Sequence, residues 1–107
     1  MINMKQLPLQ NFANQIKEGI VLVKSEKYEA GMQQLAPFVE IMKESNKSHI
    51  RLFFYYSIAQ LRLGEIDGFL ESYRLIQLME ATTREEELMK QELNPLFKQL
   101  LEELGSE

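Results

Sequence analysis

An all-α fold, two stacked antiparallel helical hairpins followed by a C-terminal capping helix, is what the sequence predicts, and three observations predict it. Apolar residues recur every three or four positions along most of the chain, which is the period of a helix with one buried side. Only 5 Gly and 3 Pro occur in 107 residues, few for a protein of many strands and turns. The polar breaks between apolar stretches are short, and helices joined by short links must lie antiparallel. A chain of this length holds one domain and one core.

The boundaries follow from the breaks. Residues 1–10 read as an N-terminal arm, 11–104 as the helical domain and 105–107 as a frayed end; within the domain, hairpin one covers 11–44, hairpin two 48–81 and the capping helix 83–104. Asn11 is placed to cap the first helix, whose apolar side is Phe12, Ala13, Ile16, Ile20 and Val23. After a break at Ser25-Glu26-Lys27, the residues Tyr28, Met32, Leu35, Val39 and Met42 repeat at helical spacing. Pro37 falls late in that helix, where a missing amide and a crowded ring should bend or end it.

Hairpin two begins after the polar link Glu44-Ser45-Asn46-Lys47-Ser48. Its first helix, from Ile50 to Leu63, has hardly any polar side and must be covered on more than one face. A strand through Leu52–Tyr56 is the alternative, but the length of the run and the Gly64 stop favour helix. Ile66, Phe69, Leu70, Tyr73, Ile76 and Met79 form the second helix. Thr83-Arg84-Glu85-Glu86 has the spacing of a capping box and opens a last helix carrying Met89, Leu93, Leu96, Phe97, Leu100, Leu101 and Leu104, with Pro95 inside it as a second expected kink.

The hairpins repeat one another at an offset of 38 residues: Gly19 aligns with Ser57, Glu26 with Gly64, Tyr28 with Ile66, Gly31 with Phe69, Leu35 with Tyr73 and Phe38 with Ile76. A small residue in mid-helix followed by Gly64-x-Ile66-x-x-Phe69-x-x-x-Tyr73 resembles the tetratricopeptide repeat (TPR) family of helical hairpins over residues 12 to 81. The last helix is similar to the solvating helix that ends such arrays. A different all-α bundle of the same helices is the other arrangement these segments allow.

The chemistry-bearing residues are sparse. With no Cys and one His, disulfides, thiolate chemistry and His-pair metal sites are excluded, and no cofactor or metal is expected. His49 lies beside a helix start, where exposure or a local cap contact is its ordinary role, and Glu85-Glu86-Glu87 occupies a first turn, where the helix dipole favours negative charge. No phosphate-binding, dinucleotide, nucleophile-elbow, zinc-protease or calcium-loop motif is present, so the chain is not expected to be an enzyme. Charge is uneven: from Glu80 to Glu107 there are eight acidic and three basic residues within a net charge of −4. An acidic end is a solvated helix face or a docking tail, and it speaks against a nucleic-acid partner. No apolar run reaches the ~18 residues of a membrane span and the start Met1-Ile2-Asn3-Met4 lacks a secretion-signal core; a cytoplasmic protein with no membrane partner is expected.

The resemblance implies binding of another protein, as a small adaptor or chaperone, in the concave groove lined by the first helix of each pair. Carried over by position, that groove holds Ala13, Ile16, Ile20, Val23 and Lys24 from hairpin one and Arg51, Phe54, Ile58, Leu61 and Arg62 from hairpin two. An apolar lining with a basic edge suits an amphipathic helix bearing acidic residues. Some family members grip a terminal carboxylate with Lys and Asn, whose places are taken here by Ile16 and Ile20, so that mode is not expected. The same apolar face could instead be covered by the last helix folding back, or by a second copy of the chain in a homo-oligomer.

Overall fold

The computed structural model describes residues 7–105, with side chains from residue 11 onward. Five helices follow in order: α1 (Leu7–Lys24), α2 (Tyr28–Ser45), α3 (Ile50–Arg62), α4 (Ile66–Leu78) and α5 (Arg84–Gly105). The fold is all-α, and Leu52–Tyr56 is helical. α1 pairs with α2 and α3 with α4 as two hairpins; α2 and α1 both lie against α3, and α5 packs on α3 and α4. No Cα atom of α5 comes within 8 Å of α1 or α2. The array is elongated, 60 × 28 × 23 Å, with a radius of gyration of 14.8 Å where a compact chain of about 100 residues has about 13 Å.

The helix starts differ from expectation at two places. Within the described residues α1 already runs from Leu7, so Asn11 lies inside the helix rather than capping it, and residues 7–10 of the expected N-terminal arm are helical. Residues 1–6, 106 and 107 lie outside the described residues. At α5 half of the expected capping box forms. The Thr83 hydroxyl accepts from the Glu86 amide at 3.1 Å, but the Glu86 carboxylate accepts from the Thr82 amide at 2.8 Å and the Thr82 hydroxyl at 3.0 Å. These bonds hold the Glu86 carboxyl below the usual carboxylate range, because each favours the charged form.

Neither internal proline ends its helix: α2 continues through Pro37 and α5 through Pro95. Pro37 and Pro95 are exposed, and so are Gln33 and Gln91 four residues before them. The carbonyls that lose an amide partner therefore sit on the wet side, where water can replace it.

Three helices end the same way. Glu26, Asn46 and Gly64 have φ of 65°, 54° and 78°, and the next residue's amide reaches back to a carbonyl in the last turn: Lys27 to Leu22 at 2.9 Å, Lys47 to Met42 at 2.9 Å and Glu65 to Gln60 at 2.8 Å. This left-handed closure satisfies carbonyls that the helix leaves open. Glu26 and Gly64 are aligned positions of the two hairpins, so the internal repeat extends to backbone conformation.

α3 is the hub. It touches all four other helices, and Ile50, Leu52, Phe53, Phe54, Ser57, Ala59 and Gln60 are buried on it. Its near absence of a polar side is thereby explained, since neighbours cover it in several directions. Its two buried polar groups are paired: the Ser72 hydroxyl donates to Gln60 Oε1 at 2.7 Å, and the Ser57 hydroxyl donates to the Phe54 carbonyl at 2.7 Å.

Candidate functional site

Because α1 and α3 lie side by side, their outward faces form the walls of a groove. At its centre is a cavity of about 420 Å³ lined by Ala13, Ile16, Lys17, Ile20, Val21 and Lys24 of α1, with His49 and Arg51 at the start of α3. Helical spacing puts the α1 residues on one side of that helix. Ile20, 4% exposed, is the floor, and Ile16 stands half-buried beside it. Val21, 54% exposed, is an apolar side chain that the body of the protein leaves in water.

Farther along α3, beyond the cavity's lining, helical spacing sets half-buried Tyr55 and Ile58 and exposed Arg62 in line with Arg51. Tyr55 organises the cationic rim: Lys24 Nζ lies 5.6 Å and the Arg51 guanidinium 5.4 Å from its ring centroid, within the range at which a cation is drawn to an aromatic face. Arg51 also approaches Glu85 of α5 at 3.4 Å, which ties the rim to the start of the last helix. His49 is half-buried, and its Nδ1 accepts the Leu52 amide at 3.2 Å as the cap of α3. Burial pushes its pKa below the ordinary imidazole value, against opposing pulls from a hydrogen bond to its own backbone and, more weakly, from Glu86.

Four of the nine expected groove residues, Ile16, Ile20, Lys24 and Arg51, line this cavity. Ile58, Leu61 and Arg62 lie farther along α3, beyond its lining, and Val23 and Phe54 are turned into the core. Val23 is 3% exposed and one of its methyls fills the space where a Gly31 side chain would stand; Phe54 is 7% exposed and lies edge-on to Tyr55, centroids 5.0 Å apart. The correction is a matter of helix phase. On a helix apolar almost all round, periodicity cannot choose the outward side, and the charges do so instead: Arg51, Tyr55, Ile58 and Arg62 are spaced by four, three and four. Lys17, Val21 and His49 were likewise not among the expected groove residues, and Lys17 and Lys24, seven apart on α1, are the sequence signal that marks its rim.

The last helix does not fill this groove, since it stays clear of α1. It builds a second apolar surface instead, at the far end of the array. There Tyr73 and Phe97 stack with centroids 4.1 Å apart and planes 5° from parallel, and the Tyr73 hydroxyl donates to Asn94 Oδ1 at 2.7 Å. A shallow cavity of about 520 Å³ runs over them, bounded by Leu70, Arg74, Gln77, Leu78 and Leu101; Leu78 is 73% exposed.

Among the described residues no three His, Asp or Glu side chains gather as a metal site, and no helix is long and apolar enough to cross a membrane. Set against known protein families, curated proteins and solved structures, the chain matches none of them.

Proposed function

We propose that the chain is a non-enzymatic protein–protein interaction module, a small TPR-like adaptor or chaperone that holds an amphipathic helical segment of a partner in the α1–α3 groove. The observation that carries this reading is the pairing of an apolar floor, Ile16 and Ile20, with a rim of three cations, Lys17, Lys24 and Arg51, around one cavity. Apolar floor and charged rim are the two halves of helix-in-groove recognition: buried side chains supply affinity, while rim charges set register and exclude wrong partners. The fitting ligand carries apolar residues at three- and four-residue spacing flanked by carboxylates. It binds a cytoplasmic protein rather than nucleic acid or membrane in this reading, and needs no cofactor.

The test is capture from the native extract by the wild-type chain, by Ile16→Glu and by Lys24→Glu, each checked for helicity. Ile16 is half-buried on the floor and also packs against the core, so the helicity check separates a spoiled floor from a lost fold. Truncating a central contact costs about 2 kcal/mol or more, and Ile16→Glu should lose the partner while Lys24→Glu weakens it in a salt-dependent way. Equal capture by all three chains rejects the groove.

A second reading, a homo-oligomerisation module, is favoured by the end surface at Leu78, Phe97 and Leu101. It calls for a dimer in sedimentation that Leu78→Glu disperses.

A further inference from the structure

The residue that begins α3 is an unusual choice for the helix on which all the others lean. Ser, Thr, Asp and Asn are the ordinary caps and none of them titrates near neutral pH except by perturbation. Here the acceptor for the Leu52 amide is His49 Nδ1, at 3.2 Å, and the His49 carbonyl accepts from the Phe53 amide at 3.1 Å. That hydrogen bond requires an unprotonated Nδ1 and so fixes the neutral, Nε2–H tautomer. An imidazolium has two donors and no acceptor, and it places a positive charge against the positive end of the helix dipole.

We propose that His49 is a proton-operated cap: neutral, it closes the first turn of α3; protonated, it releases that turn and loosens the mouth of the α1–α3 groove. The turn it controls carries Ile50 and Leu52, 2% and 0% exposed, so release draws on the core and not on surface side chains alone. The surroundings oppose the charged form on balance. His49 is half-buried, Arg51 lies two residues on, and Lys17 and Lys24 face the same cavity from α1. Its own backbone, through a hydrogen bond, and from α5 Glu86 favour the imidazolium, but burial outweighs both, and Glu85 is already engaged by Arg51 at 3.4 Å.

The direction in pH follows from linkage. The folded pKa is lowered, so the unfolded chain binds more protons in the interval beneath the ordinary value of about 6.5, and stability rises with pH there. The contribution of the cap is complete above about pH 6.5 and is lost as pH falls through the folded pKa. This holds whatever occupies the groove.

The chain has a single His, so its ring resonances are unambiguous in NMR. They should report the Nε2–H tautomer at pH 7.5 and a midpoint below about 6.5. Urea unfolding at pH 7.5 and 5.5 should show the unfolding constant of the wild type rising by about five-fold more than that of His49→Asn, since an Asn cap does not titrate and one lost cap is worth about that factor. His49→Ala should be weakened at both pH values. A midpoint at or above 6.5, or a His49→Asn chain that follows the wild type through the same pH change, overturns the proposal.

Discussion

In hairpin one the two backbones cross at Gly19 and Gly31; in hairpin two the aligned positions hold Ser57 and Phe69. A methyl built on Gly31 would stand 2.6 Å from Val23 Cγ2, 3.1 Å from the Val23 amide nitrogen and 3.2 Å from the Gly19 carbonyl. Close backbone approach is what holds that crossing together, and Leu35, 0% exposed, reaches within 2.6 Å of where a Gly19 side chain would be. Hairpin two keeps the small residue on its first helix but puts a ring, Phe69, 0% exposed, on its second. One repeat is joined by contact of main chains and the other by a filled interior. The comparison teaches that a helical hairpin conserves its topology while the material at its crossing is exchanged outright.

The largest expected effect tests the filled crossing. Phe69→Ala removes a fully buried ring and should cost about 3–5 kcal/mol, a large share of the roughly 5–15 kcal/mol of an ordinary domain, read as a lowered midpoint in chemical denaturation. The tight crossing should be less costly to disturb. Gly31→Ala must push main chains apart, against a gain of about 1 kcal/mol in helix propensity, and a net loss of about 1–3 kcal/mol is expected. If Gly31→Ala is neutral or stabilising, the difference between the hairpins is one of composition alone. The smallest effect has the opposite sign. Glu26 holds the left-handed position that Gly64 holds in the other repeat, φ 65° against 78°, so Glu26→Gly should stabilise by about 1 kcal/mol, seen as a raised Tm.

Much of this fold is legible in the chain. Helical periodicity, two hairpins, the hub character of the Ile50–Leu63 run, the Gly64 stop and a final helix at the end of the array all follow from spacing and composition. The helical state of residues 7–10 does not, because Asn11 looks like a cap and draws the expected helix start to itself. Pro37 predicts a bend or an end and Pro95 a bend, and both helices run on past them. Whether a proline stops a helix depends on whether water reaches the freed carbonyl, and that is a property of the assembled surface.

In the α1 half of the groove Ile16, Ile20 and Lys24 were legible, while Lys17 and Val21 were missed and Val23 turned out to be core. On α3 the expected Phe54 gave way to Tyr55, one position along. An all-apolar helix states that it is enclosed without stating by what, and only the two flanking arginines mark its open side. His49 beside a helix start suggests either exposure or a local cap contact, and the lone pair that meets the Leu52 amide makes it the cap.

The hub has a thermodynamic corollary. In a long array of repeats each unit leans on its neighbours and can melt in turn. Here every helix rests on α3, 13 residues long, so neither hairpin has a free-standing life: loosening this one segment withdraws support from all the others together. A two-repeat array built this way should melt in one cooperative step, with no half-folded species that keeps one hairpin and sheds the other.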